Sequence, residues 1–337
     1  MAEVVLGIET SCDETSAAVL VGERRRPELA SLVILSQDVH KVFGGVVPEL
    51  ASRAHLTALP AVVARALTEA GVTWSAVDAV VVTQGPGLAG ALLVGVVYAK
   101  ALAYAGRRAL IGVHHMEGHL FAPAIEDPDL APPFVALLVS GGHTLLLDVP
   151  AWGRYRLLGQ TRDDAAGEAF DKVAQLLGLG FPGGPAVDRE AAAGDPQAHR
   201  FPRSLMEKGN LDFSFSGLKT AVLYTAFGQD RQKGNPPTGQ KRADLAASFQ
   251  QAVVDVLVEK SHRALRLCSL KRLAIGGGVA ANRALRTALA EMVAADGGEL
   301  FIRRRSCAPT TPRWGRSRSR SGATACSRPW ISTRFRT

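Results

Sequence analysis

The first part of the chain alternates short apolar runs with polar turns. Val4–Glu9 is apolar, Thr10–Thr15 is a polar turn and Ser16–Val21 is apolar again, which predicts a β-hairpin. Apolar residues with a period near 3.6 predict a helix over Pro48–Ala70. The elements predicted after it are a strand over Ala76–Thr83, a helix over Leu88–Ala105 and a strand over Ala109–Val113.

The same hairpin pattern returns after a proline-rich break at Asp127–Pro133. Apolar runs at Phe134–Val139 and Thr144–Asp148 flank the turn Ser140–His143. Two units that each open with strand, turn and strand predict a duplicated α/β architecture around a central cleft. The other elements predicted here are helices over Gly167–Leu177 and Leu245–Leu267, a strand over Arg272–Ile275 and a helix from Ala281.

Composition places the chain among globular proteins of a reducing compartment. Apolar residues make up 47% and charged residues 21%, which allows a sizeable core. The four cysteines lie far apart and form no CxxC pair. The first residues lack the pattern of a secretory signal, and the apolar stretches end before the roughly 20 residues that a membrane span needs. We therefore expect a cytoplasmic protein with no membrane partner.

The net charge of +8 comes from the end of the chain. Residues 301–337 contain ten arginines and no acidic residue, whereas residues 1–300 contain 29 basic and 31 acidic residues. The main part of the chain is therefore not broadly basic, and any contact with nucleic acid must use a local basic patch.

Two histidines one helical turn apart are the first candidate site. In the segment His115-Met-Glu-Gly-His119, positions i and i+4 share a helix face, so both imidazoles could bind one metal ion. The alternative is that they only cap or line a helix. Glu117 lies off their shared face and the segment is not HExxH, so a zinc protease is disfavoured. Two ligands leave a metal site incomplete, so a further ligand must come from elsewhere.

Two glycine turns are candidates for holding a phosphate or acyl group. Ser140–His143 separates two strands, and Gly276–Asn282 precedes a helix N-terminus, where the dipole favours anions. Either one alone could be a tight turn without a ligand. Together they are what a two-lobed nucleotide cleft needs.

A third glycine segment resembles the dinucleotide fingerprint. Gly85–Gly90 fits GxGxxG between a strand and a helix. However, the next strand ends at Val113 in histidines rather than in an acid, and Pro86 occupies the turn that would face a pyrophosphate. We interpret these glycines as sites of close helix–strand packing.

Several carboxylates are candidate functional groups. Asp13 and Glu14, in the first hairpin turn, could hold a cation or orient water, although a solvated turn is the alternative. Cys12 is flanked by these acids, which raise the pKa of a thiol, so it is not expected to be a nucleophile. Asp171 and Asp188 could accept hydrogen bonds from ligand hydroxyls. Asp171 could also be an ordinary surface acid, whereas Asp188 ends the predicted glycine-rich loop from Gly180.

Eight motifs, in order, resemble one family over about residues 3–300. They are GIETSCDETSAAV, GGVVPELASRAH, HHMEGH, LVSGGHT, GEAFDKVA, GGPAVD, FSFSGLKTAV and GGVAANRALR. They look like the TsaD family of bacterial tRNA N6-adenosine threonylcarbamoyltransferases. The resemblance implies an α/β fold of the actin/hexokinase/Hsp70 (ASKHA) class, with two RNase H-like lobes around a nucleotide cleft. It places the first lobe, with the HxxxH pair, at residues 1–130 and the second at residues 131–300.

The resemblance also implies a reaction and a set of partners. The threonylcarbamoyl group would pass from threonylcarbamoyl-AMP to N6 of adenosine 37 in tRNAs that read ANN codons. The partner proteins would be TsaB and the ATPase TsaE. One divalent metal, Fe²⁺ or alternatively Zn²⁺, would bind His115 and His119. The residues implied to hold the acyl-adenylate are Leu138, Val139, Ser140, Gly141, Gly142, Asp171, Gly184, Asp188 and Asn282.

The chain departs from the family after about residue 300. The family has a CTDN-type segment there, whose Asp is the third metal ligand, but this chain continues with Arg, Ser, Pro and Thr. A back-translation of Arg303–Trp314, read two bases later, yields a Cys-Thr-Asp-Asn run. We interpret the tail, residues 301–337, as the product of a frameshift near residue 302, and expect it to be disordered and metal binding to be weak. The alternative is a genuine Arg-rich RNA-binding tail.

Two other functions compete with the transferase. One is a non-catalytic ASKHA scaffold of the same tRNA-modification complex, which would not need His115, His119, Asp188 or Asn282. The other is a metalloprotease, which the missing HExxH motif disfavours. No residue is identified as a general base beyond the candidates Asp13 and Glu14.

Overall fold

The chain forms two compact units. The computed structural model describes residues 3–23, 26–43, 45–127, 129–228 and 235–302. Within them the division falls between Gly118 and His119. That point is inside a helix, His115–Glu126, rather than at the predicted boundary after residue 130. The Arg-rich tail from residue 303 onward lies outside the described residues.

The first unit is a five-stranded sheet with helices packed against it. The strand order is β3-β2-β1-β4-β5, in which β1 to β3 are antiparallel and β1, β4 and β5 are parallel. The predicted hairpin is confirmed, and β3 extends it. The elements are β1 Glu3–Glu9, β2 Glu14–Glu23, β3 Arg26–Ser36, α1 Pro48–Glu69, β4 Ala79–Gly85, α2 Ala89–Gly106 and β5 Ala109–His114. Helix α3, His115–Glu126, begins in this unit, and its residues from His119 belong to the second.

The second unit repeats this sheet. Its strand order is β10-β9-β6-β7-β8, with β6, β7 and β8 antiparallel and β6, β9 and β10 parallel. The predicted duplication is therefore confirmed at the level of strand order. The elements are β6 Phe134–Val139, β7 Thr144–Ala151, β8 Arg154–Gln160, α4 Ala166–Leu176, α5 Gly183–Ala191, α6 Ser216–Phe227, α7 Gly239–Cys268, β9 Arg272–Gly276, α8 Arg283–Ala295 and β10 Glu299–Ile302.

Strand β6 is the centre of the second sheet. All six of its residues are buried, as expected for a continuous apolar run covered on both faces. Because β6 and β9 run parallel, with Leu138 opposite Gly276, the turns that follow them emerge at the same edge of the sheet.

The irregular segment from Phe201 to Ser216 is tied to the second unit by two charged side chains. Lys260 of α7 is fully buried, and its Nζ donates to the carbonyl oxygens of Leu205 at 2.6 Å and Asn210 at 3.1 Å. The ring of Phe213 lies 5.9 Å from the same nitrogen. Burial lowers the pKa of Lys260. The ammonium therefore satisfies carbonyl groups that would otherwise lack a donor in the core.

The second tie is Asp163, which precedes α4. Its oxygens accept hydrogen bonds from the backbone of Phe215 and Ser216 and from the hydroxyls of Ser214 and Ser216. Burial alone would raise the pKa of Asp163, but these hydrogen bonds, led by those of Ser214 and Ser216, lower it below its ordinary value of 3.8. Asp163 thus caps α6 from a distant part of the sequence.

Replacing Lys260 should destabilise the protein. The variant Lys260→Met keeps most of the aliphatic stem but leaves two carbonyls without their donor, so we expect the free energy of unfolding to fall by about 1–3 kcal/mol. Urea unfolding of the variant and of Lys208→Met, an exposed control, measures this. Equal or greater stability of Lys260→Met would show that desolvation of the ammonium outweighs its hydrogen bonds.

Stability should depend on pH through Asp163. Its pKa is lower in the folded protein than in the unfolded chain, so its stabilising effect is present above the unfolded pKa of about 3.8 and is lost as pH falls through the folded value. We expect Asp163→Asn to lose on the order of 1 kcal/mol at neutral pH, as for other lost caps. The difference from the parent should shrink as the medium is acidified.

Urea unfolding over a series of pH values checks this, with the exposed Asp129→Asn as the control. A difference between Asp163→Asn and the parent that stays constant with pH would contradict the assignment.

Candidate functional site

The two predicted glycine turns of the second unit lie side by side. Gly277 follows β9 with φ of +94°, a conformation that favours glycine. A methyl group there would lie 2.3 Å from the carbonyl oxygen of Val139, at the end of β6. Glycine at this position is therefore what allows the β9 turn to approach the β6 turn.

The turn after β6 is closed by its own hydrogen bonds. The backbone N–H of Ser140 donates to the carbonyl of His143 at 2.8 Å, and the N–H of His143 donates to Ser140 Oγ at 3.1 Å. At Gly141 and Gly142 a methyl group would meet no described atom within 4 Å. Packing within the described chain does not account for these two glycines, so the turn leaves space that a ligand could occupy, as predicted.

Helix α4 begins against this turn. Gly167 N–H donates to Ser140 O at 3.1 Å, and a methyl group at Gly167 would lie 2.5 Å from that oxygen. Ala166 N–H donates to Thr144 Oγ1 at 2.8 Å. Strand β7, the turn and the first turn of α4 are thus one rigid assembly.

Asp171, one turn further along α4, is joined to the start of α5. Its Oδ1 accepts a hydrogen bond of 2.7 Å from Gly183 N–H. Burial, with a smaller effect of the Glu168 charge, raises the pKa of Asp171. The next residue, Gly184, has open surroundings like Gly142. The structure thus brings together two of the residues expected to bind the ligand, Asp171 and Gly184.

The predicted glycine-rich loop that ends at Asp188 is wrong. Residues Gly183–Ala191 are helix α5, with Pro185 in its first turn, where a missing N–H costs nothing. The Asp171 carboxylate supplies an acceptor at this N-terminus, which the local sequence could not reveal. Asp188 therefore lies on a helix, where its Oδ2 accepts from Arg283 Nε at 2.8 Å.

Asn282 begins helix α8 rather than facing outward. Its Oδ1 accepts from Leu285 N–H at 2.9 Å as an N-cap, and its Nδ2 donates to Gln250 Oε1 at 2.7 Å. The side chain is 8% exposed. Its clearest role is to fix the N-terminus of α8 beside Arg283, and its predicted contact with a ligand stays a prediction.

The first unit contains a second polar centre, at the end of β1. Glu9 accepts hydrogen bonds from Ser11 N–H at 2.5 Å and from Thr83 Oγ1 at 2.6 Å, and its Oε2 lies 3.2 Å from His115 Nδ1. Burial would raise the pKa of Glu9, but the hydrogen bonds, led by that of His115, lower it to about 2. Glu9 was not predicted as a site residue, because in the sequence it is only the last residue of an apolar strand.

Asp13 and Glu14 both belong to the predicted turn, which in the structure ends at Asp13. Glu14 begins β2 and its Oε1 accepts from Ser36 Oγ at 3.2 Å. Burial raises the pKa of Glu14 above its ordinary value, and the nearby charges of Asp13 and Glu9 raise it further. The pKa of the Cys12 thiol is raised to about 12, mainly by desolvation and secondly by the Asp13 charge. Cys12 is thus a poor nucleophile, in line with the prediction.

A buried polar network contacts the turn between β1 and β2. His55 of α1 is fully buried; its Nε2 lies 2.9 Å from the carbonyl of Cys12 and its Nδ1 lies 2.8 Å from Thr15 Oγ1. Gln37 joins His55 to His40, which is also buried. The sequence offered only scattered histidines here, with no spacing that would have identified the network.

Two of the three glycines in the fingerprint-like segment pack closely. A methyl group at Gly87 would lie 2.5 Å from Ser11 O, and one at Gly90 would lie 2.5 Å from Ser52 Oγ of α1. Close packing is therefore confirmed for Gly87 and Gly90, although against the turn after β1 and helix α1 rather than between a helix and a strand. It is wrong for Gly85, where a methyl group would meet no described atom within 4 Å.

His115 and His119 both lie in α3, one turn apart, as predicted. Imidazole nitrogens suit iron or zinc, and the spacing suits two ligands of one ion. Within the described ranges no group of three or more His, Cys, Asp or Glu side chains is placed to hold a metal ion. The two histidines thus have the spacing expected of two ligands, their binding of a metal stays a prediction, and the CTDN-type segment that would carry the third ligand is absent from the sequence.

Comparison with known proteins identifies the family. Residues 28–305 match the family model TsaD, described as tRNA N6-adenosine threonylcarbamoyltransferase. A protein of that name from Gemmatimonas aurantiaca is 56% identical over 308 residues, covering 88% of this chain and 85% of its own length. Another from Syntrophotalea carbinolica is 54% identical over 300 residues, with 89% and 85% covered.

Solved structures agree on the fold. HypF from T. kodakarensis matches with a TM-score of 0.58 at 13% identity, covering 89% of this chain and 45% of that one. Full-length HypF in its phosphate- and nucleotide-bound form gives a TM-score of 0.54 at 13% identity, with 89% and 52% covered. This chain thus spans about half the length of the HypF chains, and the likeness concerns the ASKHA-type fold alone. By its sequence, this chain belongs to the TsaD family of tRNA N6-adenosine threonylcarbamoyltransferases.

Proposed function

We propose that this chain transfers a threonylcarbamoyl group from threonylcarbamoyl-AMP to N6 of adenosine 37 in tRNAs that read ANN codons. The observation that carries the proposal is the open glycine turn after β6, set against α4 and Gly277 in a chain that is 56% identical to a protein named for this activity. In the reaction, the N6 amine attacks the carbamoyl carbon, a C–N bond forms, and AMP leaves as the acyl–phosphate bond breaks.

The residues of the second unit would hold the acyl-adenylate. The stretch Leu138–Gly142 would let the phosphate and acyl groups approach the backbone closely, because no Cβ intervenes at its glycines. Asp171 and Asp188 would accept hydrogen bonds from hydroxyls beside Gly184, and Asn282 would keep the α8 N-terminus in place. Because the donor is already activated, orientation and stabilisation of charge on the acyl oxygen are the main demands.

The metal part of the proposal rests on α3. His115 and His119 would bind one divalent ion, iron or zinc, which when bound would act as a Lewis acid on the acyl group. The donor set fits two of the ligands, and the third is an Asp in the family segment that this chain lacks. We therefore propose that the 337-residue chain binds metal weakly and is impaired in t6A formation. Asp13 and Glu14 remain the candidates for proton transfer.

A non-catalytic scaffold is the second candidate function. The observation that favours it is the engagement of Asn282 and Asp188 in contacts within the protein. A scaffold would form the same complex but would not bind the acyl-adenylate.

The substrate turn can be tested without disturbing the fold. Gly142→Val adds atoms where the described chain leaves open space, so folding should be unchanged. Binding of threonylcarbamoyl-AMP, measured by calorimetry, should weaken at least about tenfold, which corresponds to about 1.4 kcal/mol. The yield of t6A in tRNA, measured by mass spectrometry with TsaB and TsaE present, should fall in parallel.

The control is Gly217→Val, in the first turn of α6, where a side chain also meets no described atom within 4 Å. Unchanged affinity in Gly142→Val would contradict the site. A parent chain that does not bind the adenylate at all would favour the scaffold.

Helix α2 supports a role for a protein partner. Its inward positions, four residues apart, are small: Ala91, Gly95, Ala99 and Ala103. Its outward positions include three large apolar residues, of which Leu93 is 62%, Val97 54% and Tyr104 90% exposed. The exposed Lys100 lies on the same face, between Val97 and Tyr104. Of the helices in the described ranges, α2 has the length and composition of a membrane span, with 22% of its residues buried. We propose that this face, with Leu56 of α1, binds TsaB.

Charges on this face should weaken the complex. We expect the double variant Leu93→Asp, Val97→Asp to bind TsaB at least about tenfold more weakly, because two carboxylates would be desolvated in the interface. Size-exclusion chromatography and calorimetry with purified TsaB check this. The control, Leu267→Asp, changes an exposed leucine of α7 in the second unit. An affinity equal to that of the parent would rule this face out.

A further inference from the structure

The carboxylate of Glu9 has a fixed position inside the first unit. Ser11 N–H donates to its Oε1, and Thr83 Oγ1 donates to its Oε2. Ser11 follows it in the turn, and Thr83 belongs to β4, the parallel neighbour of β1. The side chain is about one third exposed, at 32%. Two donors from two elements therefore hold a charged acceptor at the start of α3.

This acceptor determines the state of the His115 ring. Its Oε2 lies 3.2 Å from His115 Nδ1. A carboxylate offers only lone pairs, so the contact is attractive only if Nδ1 carries a hydrogen. In a neutral imidazole the other nitrogen, Nε2, then carries the lone pair. A metal ion binds a ring nitrogen through that lone pair.

Ser11 alone cannot fix which ring nitrogen of His115 carries the hydrogen. Its hydroxyl also lies 3.2 Å from His115 Nδ1, but a hydroxyl can donate or accept and so fits either tautomer. Only the carboxylate, which cannot donate, distinguishes between them. The choice of tautomer therefore depends on Glu9, while Thr83 holds Glu9 in place.

We propose that Glu9 is a positioning residue that keeps His115 in the Nδ1–H tautomer, so that Nε2 is presented to a metal ion. Metal-binding histidines commonly donate their second nitrogen to a carboxylate in this way, which fixes the ring and strengthens the ligand. The proposal deepens the proposed function, since it assigns a role at the same metal site. It also explains why the last residue of an apolar strand is an acid.

The tautomer can be measured directly in the metal-free full-length chain. Ring ¹⁵N chemical shifts of His115, assigned by comparison with His115→Ala, distinguish Nδ1–H from Nε2–H at mildly alkaline pH. We expect the parent to show Nδ1–H. In Glu9→Gln the amide can donate to Nδ1, so the ring should shift toward Nε2–H. Thr83→Val, which retains the carboxylate but removes one anchor, should give a mixture, and Glu49→Gln on the exposed face of α1 should behave as the parent does.

Zinc binding provides the second measurement. Titration with Zn²⁺ against a chelator should show affinity at least about tenfold weaker for Glu9→Gln than for the parent. Thermal unfolding of the metal-free variants shows whether each is folded, and Thr83→Val serves if Glu9→Gln is not. A parent in the Nε2–H form, or a Glu9→Gln protein with the parental tautomer and zinc affinity, would overturn the proposal.

The proposed metal site and the proposed role of Glu9 can be refuted independently. If His115→Ala binds zinc as tightly as the parent, the metal site of the proposed function is wrong, whatever the ring shifts show. If His115→Ala loses zinc while Glu9→Gln keeps parental affinity, the metal site stands and the role of Glu9 is refuted.

Discussion

The parallel pairing of β6 with β9 is the constraint on which the second unit depends. It places Leu138 opposite Gly276, so that both glycine turns leave the sheet at one edge. A residue with a Cβ at Gly277 would collide with Val139 O, and the two turns would have to separate. The start of α4 rests on the first turn, and α8 follows the second. A single close backbone approach therefore fixes the surroundings of the candidate ligand site.

The sequence pattern was sufficient for the elements with strong periodicity. The hairpins, α1, α2 and β6 follow directly from apolar runs and turns, and the duplication follows from their repetition. Strand β8 was not predicted because it lies at a sheet edge, where exposed polar positions interrupt its apolar residues. Strand β3 was also not predicted, although it contains the apolar run Leu32–Leu35, of which Leu32, Ile34 and Leu35 are exposed at the other sheet's edge. Helix α5 was mistaken for a loop because its glycines and Pro185 favour turns, whereas its first N–H is satisfied by Asp171, twelve residues away in the sequence.

The candidate site shows a similar limit. The paired histidines and the glycine turns were visible as spacings, since helix and turn geometry are local. Glu9, His55 and Gln37 were not visible, because their importance comes from partners on other elements. Asn282 and Asp188 were recognisable as special positions, but only the structure shows that each also has a structural contact, with Gln250 and Arg283 respectively. Sequence patterns find residues, whereas long-range contacts assign their roles.

Helix α2 packs its small residues directly against the Thr10 side chain in the turn that follows β1. Thr10 Oγ1 donates to Ala91 O at 2.9 Å, and a methyl group at Gly95 would overlap Thr10. Long side chains can absorb small displacements between packed elements, but here the contact is made by the short, β-branched Thr10 side chain. A displacement of α2 would therefore shift Thr10 directly, and with it the turn that holds Ser11.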